Sequence, residues 1–283
     1  MGVAMEITSG VGTRNGFLFP LDEDGLISVN TTSAIPVEGT LLFGIKTATT
    51  SDPEPQRIVH YGNDRPYAQD SLPPTEVGTV AITLAASNLI VDSMTEGNKV
   101  RETGNMVSRA ANSDNRGNEP ILAAMFYRQA LDTEPGSPTF GKLRQWNMRT
   151  YPAARWATAT SSYEAQATDK TINGTPTPTG QTIWGENYQE STWGNTFAEY
   201  TESVVNYEPR WNAHLGNGTM TSFQLSHPPA SAEELLVWVG GTLTVPVSVN
   251  TSLTNPSYTL SSAAGTNLVK LISLIGTREP SNH

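Results

Sequence analysis

Apolar and polar residues alternate along much of this chain with the two-residue period of β-strands. In TVAITLAA (Thr79–Ala86), Val80, Ile82 and Leu84 alternate with Thr79, Ala81 and Thr83, so one face is expected to be buried. TLLFGIK (Thr40–Lys46) reads as another strand. FLFPL and LISV flank DEDG, with Gly25 placed where a turn tolerates positive φ, which predicts a hairpin over Phe17–Val29. GKLRQWNMRTY and ARWATATSSYEA read as two further strands, and the NGTPTPTG that comes later reads as a turn region. Toward the C-terminus, TMTSFQLS leads to ELLVWVGGTLTVPVSV, where Gly240-Gly241 forms a two-residue hairpin turn. Leu243, Val245, Val247 and Val249 then alternate with Thr244, Pro246 and Ser248. They are expected to form a buried face, with Pro246 marking an edge strand. NLVKLISLI supplies the last strand.

Two stretches depart from that period. In NEPILAAMFYRQALDTEPG, Ile121 and Met125, and Leu122 and Phe126, stand four apart, with Pro120 suited to a first turn and Asp132–Gly136 to an end. This predicts a helix packed on a sheet, its Met and aromatic stripe serving as core. The other stretch, Thr47–Glu76, carries prolines at 53, 55, 66, 73 and 74 between two strands. Loops beyond about 12–15 residues are usually functional or disordered. Ile58, Val59, Tyr61 and Tyr67 argue for order, because a solvated linker has little use for them. Either the stretch is an arm that docks on something, or it folds back on its own domain.

At 283 residues the chain is long enough for one large β domain or two smaller ones. Charge and texture place a boundary in VVNYEPRWN, giving a body, 1–209, and a small C-terminal β domain, 210–283. The body holds 14 basic and 24 acidic residues and the remainder three of each, so the whole net charge of −10 lies in the body. Such a balance argues against a surface that grips nucleic acid by neutralising phosphates. With no cysteine, disulfides, thiolate zinc sites and thiol nucleophiles are excluded. Met1–Thr8 lacks a basic start and an apolar run, and no stretch approaches about 20 apolar residues, so a soluble, unprocessed protein with no membrane partner is expected. The sequons at Asn30, Asn173, Asn217 and Asn250 then read as by-products of Asn- and Thr-rich loops.

A search for chemistry yields no catalytic residue, cofactor or metal site. GVGTRNG (Gly10–Gly16) has Asn15 where a dinucleotide fingerprint needs its third glycine, and Phe17–Pro20 follows where a helix should open. It reads as a bend leading into a strand. Histidines at 60, 214, 227 and 283 show no ligand spacing. NSDNRGNEPILA begins like a calcium loop but has Arg116 at the fifth position and Ala123 at the twelfth, where a glutamate is required. G-x-S-x-G, phosphate-loop and H-E-x-x-H motifs are absent, and a non-enzyme is expected.

The order of elements, from GVGTRNGFLFPLDEDGLISV through a strand, a long Pro-rich loop, a strand and one helix, resembles the major tail tube proteins of long-tailed bacteriophages over roughly residues 1–209. GNGTMTSFQLSHPPASAEELLVWVGGTL is similar to small β modules on phage tail and fibre proteins. The resemblance implies a mainly β fold: a tail-tube-type β-sandwich or barrel with one flanking α-helix, plus a small C-terminal β domain of immunoglobulin-like or fibre type decorating the outside. It further implies hexameric rings stacked head to tail into a channel, other phage tail proteins as partners, and DNA passing the lumen without specific binding. An acidic wall fits that role, since one that attracted phosphates would stall DNA. Such a protein is made in the host cytoplasm and ends in the virion. The family's long loop contacts neighbouring subunits, which makes Arg57, Ile58, Val59, Tyr61, Arg65 and Tyr67 the interface candidates.

Two other classes remain. A phage fibre or decoration protein would bind host-surface polysaccharide through Trp184, Tyr188 and Trp193, and predicts no tubes. A secreted-type hydrolase predicts a cleft with a close carboxylate pair, for which the sequence shows no spacing signal.

Overall fold

The computed structural model describes residues 8–29, 39–42, 44–62, 65–72, 78–85, 89–104, 106–109, 119–132, 135–136, 140–141, 143–160, 169–263 and 270–277. The chain is mainly β. Its first part runs β1 (Thr8–Pro20), β2 (Thr40–Leu42), β3 (Ile45–Ser51), β4 (Gln56–Gly62), β5 (Arg65–Leu72) and β6 (Thr79–Leu84). Helix α1 (Leu89–Glu96) follows, then β7 (Val100–Thr103), β8 (Met106–Arg109), β9 (Ile121–Asp132), β10 (Leu143–Thr160), β11 (Lys170–Pro176), the single turn α2 (Glu190–Trp193) and β12 (Thr201–Val205). Eight of these strands form one antiparallel sheet in the order β2-β1-β9-β10-β11-β6-β3, with β12 also on β10.

Strand β9 occupies the stretch expected to be the helix. Its neighbours β1 and β10 flank it, with Phe17 opposite Met125 and Leu18 opposite Ala124 on one side, and Met148 opposite Tyr127 on the other. Ala123, Met125 and Tyr127 join one apolar cluster with Phe17, Phe19, Trp146 and Met148. Leu122, Ala124 and Phe126 point the opposite way, into a second cluster with Leu18, Val80, Ile82, Leu84, Tyr151, Trp156 and Ile172. A strand buried on both faces reads as a continuous apolar run, so four-residue coincidences arise without a helix. The helix lies instead at Leu89–Glu96, tied to β11 by a buried ion pair between Asp92 and Lys170 and to β8 by a partly buried one between Glu96 and Arg109.

Several other readings change. GVGTRNG is no bend: it lies inside β1, whose pairing with β9 slips between Val11 and Thr13 and again between Thr13 and Asn15. The two strands expected before and after Pro152 are one, β10, with an irregularity between Tyr151 and Ala154 that lets it bend and carry a proline. The opening of NGTPTPTG completes β11, where Gly174 lies against the Trp156 indole and leaves no room for a Cβ. The acidic turn is as expected: Gly25 has φ +73°, and Asp22 Oδ1 accepts the Asp24 and Leu26 N–H groups at 3.1 and 3.0 Å.

The C-terminal strands are β13 (Glu208–Leu215), β14 (Ser222–Gln224), β15 (Leu235–Val239), β16 (Thr242–Thr244), β17 (Ser248–Asn250), β18 (Ser257–Thr259) and β19 (Lys270–Thr277). They form two sheets, β13-β19-β15-β16 and β14-β18-β17, around Phe223, Leu225, Leu235, Val237, Tyr258 and Leu260. Trp211 and Trp238 reach past this core into the cluster of Phe17 and Met125. The Trp184 and Trp238 rings stack at 4.8 Å, and Tyr127 and Arg210 both donate to Glu208 Oε1, at 3.1 and 2.9 Å. The predicted hairpin turn is present, with Gly240 and Gly241 both at positive φ, and Gly241 presses on the backbone of Gly185. Of the expected buried face after it, Val249 packs partly buried on the C-terminal core, while Leu243, Val245 and Val247 are exposed.

Candidate functional site

The long Pro-rich stretch begins with the end of β3 and then folds into a hairpin of its own. From Gln56 opposite Leu72 to Gly62 opposite Arg65, β4 and β5 pair with each other, with one irregularity between His60 and Tyr61. No other described strand pairs with either of them. β-Branched residues in Arg57-Ile58-Val59 favour the extended chain, and prolines 53 and 55 hold the entry out of helix. Ile58, Val59 and Leu72 are exposed, as is Arg57, so the described apolar side chains of the arm do not bury against their own domain. His60 Nε2 and Asp70 Oδ2 meet at 2.8 Å across the hairpin, a solvated contact that adds little stability. Tyr61, Arg65 and Tyr67 lie on the hairpin backbone, with their side chains outside the described residues.

At the arm's base, a groove of about 570 Å³ opens between β3, β10 and β12. Arg149 dominates it. Its Nε donates to Glu202 Oε1 at 2.8 Å, Nη2 donates to the same oxygen, and Nη1 donates to Thr50 Oγ1. The guanidinium lies 4.5 Å from the centre of the Tyr200 ring, whose hydroxyl donates to Asp52 Oδ2 at 3.3 Å. Burial works against the Arg149 charge, but the hydrogen bonds to Glu202 and Tyr151 outweigh it and raise its pKa above the ordinary arginine value. Burial, and then the Asp52 charge, raise that of Tyr200. Glu202 neutralises Arg149, and Asp52 leaves the cluster with one negative charge, held against the Tyr200 hydroxyl. It ties the last residues of β3 and the start of the arm to β10 and β12. Sequence reasoning missed it, because Thr50, Arg149 and Glu202 come together only through strand pairing.

The remaining chemical candidates stand apart from this cluster. Among the described residues no group of three or more His, Asp or Glu side chains is arranged to hold a metal ion. His214 is buried against Phe223 and Tyr258, and His227 Nδ1 meets Ser226 Oγ at 2.9 Å. His283 and most of the calcium-like stretch, 110–118, lie outside the described residues. Trp184 and Tyr188 do not form an exposed sugar platform. Both are buried, Trp184 by its stack on Trp238 and Tyr188 by its hydrogen bond to Thr201 Oγ1 at 2.6 Å, so of the three aromatics only Trp193 is exposed. No helix among the described residues is long and apolar enough to cross a membrane.

No protein-family model matches the chain, and no curated protein matches it significantly.

Proposed function

We propose that the chain is a structural subunit that assembles with copies of itself, and that the assembly is the tail tube of a long-tailed phage, a stack of hexameric rings through which DNA passes. The observation that carries this reading is the β4–β5 arm, a hairpin without a further strand partner among the described residues, which holds Ile58, Val59 and Leu72 exposed. Exposed apolar side chains on such a hairpin can supply the apolar core of an interface, and Arg57 beside them can meet the acidic groups of another subunit. The excess of acidic residues in 1–209 supports a channel wall that does not hold DNA. In that setting the protein would be made in the host cytoplasm and end in the virion, with neighbouring subunits and other tail proteins as partners. The fibre reading is weaker, because two of the three aromatics it needs are buried.

Electron microscopy of the purified protein by negative stain is expected to show rings or hollow tubes. Replacing Asp52–Leu72 by a short Gly/Ser linker should leave a monomer with native β-type circular dichroism. Each hot-spot side chain lost from such an interface costs about 1–4 kcal/mol. Assembly of the shortened protein into the same particles would refute the role given to the arm, and an absence of rings and tubes from the intact protein would refute the tube.

A further inference from the structure

We propose that the rim formed by β16 and β17 is a self-association surface, at which a second copy of this chain pairs edge to edge through the same rim. β16 ends one C-terminal sheet and β17 ends the other, so the crossing Val245–Val247 brings two sheet edges together. No described strand pairs with the outer side of either. Apolar side chains stand out along it, Leu243 at 56% exposed, Val245 at 85% and Val247 at 67%, between the exposed Thr242 and Ser248. Alternation of this kind ordinarily builds a face that something covers.

Charge narrows the choice of occupant. From Leu235 to Val269 the sequence has no Asp, Glu, Lys, Arg or His. Natural sheet edges are commonly guarded by charges, lysine above all, and here Pro246 is the guard that remains. A strongly charged facing surface gains nothing from an uncharged rim. Two copies meeting rim to rim bring neutral surfaces together, because the net charge of −10 belongs to residues 1–209.

The pairing geometry is available. Val239 and Thr242 flank the two-residue turn and pair with each other, which directs the backbone groups of Thr242 and Thr244 toward β15 and leaves those of Leu243 on the open side. An antiparallel copy of β16 related by a two-fold axis would match this pattern and join two four-stranded sheets into one of eight. Pro246 has no N–H and sets the limit of the pairing. Three apolar side chains per copy fall short of the ~800 Å² per partner of a standard interface, so the contact is weak alone and strengthens where several copies are already held together.

Sedimentation velocity over a concentration series of the full chain tests this, with Leu243→Lys/Val245→Lys as the variant and circular dichroism confirming its fold. Both positions are exposed, so the change leaves the core intact. The wild type should sediment faster as concentration rises, and the variant should associate at least about tenfold more weakly, since facing lysines repel. Val59→Asp, which acts on the arm, should leave rim association in place, so a failure of the arm reading is distinguishable from a failure of this one. Equal concentration dependence in wild type and the double-lysine variant, or none in the wild type, overturns the proposal.

Discussion

Replacing Gly241 by alanine measures how closely the C-terminal strands are fitted to the main sheet. Gly241 has φ +80°, and a Cβ there would fall inside the van der Waals surface of the Gly185 carbonyl oxygen and 2.7 Å from its carbon. These are backbone atoms of a turn that is itself pinned. The Gly185 N–H donates to Thr182 O at 2.9 Å, and Thr182 Oγ1 accepts the Trp184 and Glu186 N–H groups at 3.2 Å each. The obstacle therefore cannot rotate aside as a side chain would. Two costs add. A residue with a Cβ in the left-handed region costs about 1–2 kcal/mol, and forced overpacking about 1–3 kcal/mol, giving roughly 2–5 kcal/mol together. Gly25→Ala isolates the first cost, because Gly25 has φ +73° and nothing within 4 Å of the Cβ position. Urea unfolding followed by tryptophan fluorescence suits the comparison, since the stacked rings of Trp184 and Trp238 lie beside this contact in the chain. Gly25→Ala should lose about 1–2 kcal/mol. Gly241→Ala should lose clearly more and change the native fluorescence. Equal losses in the two variants would refute the close fit between the Gly241 and Gly185 turns.

Lys170 and Asp92 are paired with their side chains only 5% exposed, so Lys170→Met alone should cost about 3–5 kcal/mol by taking the countercharge from a buried carboxylate. Lys170→Met with Asp92→Leu should recover most of that loss; urea midpoints of the single and double variants decide, and a single variant as stable as wild type would remove the pair from the fold's supports. Burial raises the pKa of Tyr127 and Tyr258 above the usual value of 10.0. The folded state then holds protons that the unfolded chain releases, so stability should be level below about pH 10 and fall as pH rises beyond it. Tyr127→Phe should reduce that slope in thermal melts, and an unchanged slope would exclude Tyr127 as its source.

The sequence made the edges and turns of the fold easier to read than its centre. At Thr79–Leu84 one face is buried, and the alternation of Val80, Ile82 and Leu84 shows it directly. Gly25 and Gly240-Gly241 were legible because positive φ demands glycine. β9 was not legible, because neighbours on both sides and clusters on both faces erase the period, and its alanines, methionine and leucines suit a helix as well. The true helix was short, yet Gly97, at φ +68° just past its end, marks a helix stop in LIVDSMTEG. The arm was legible as a long ordered stretch but not as a hairpin, since its prolines obscured the strands. The apolar rim was misread for a different reason: alternation reports that one face differs from the other, and it does not report what covers the apolar one.

The strand order of the main sheet also fixes when that sheet can come into being. β1 can find β2, and β3 can find β6, from the first third of the chain alone. Those two pairs belong at opposite ends of the sheet, and the block that joins them, β9-β10-β11, is complete only at Pro176. A ribosome adding about 5–20 residues per second thus exposes the outer strands for several seconds before their inner partners exist. Because the decisive contacts span long sequence separations, as between Thr8 and Asp132, folding of the body is governed by the search for distant partners more than by local propensity.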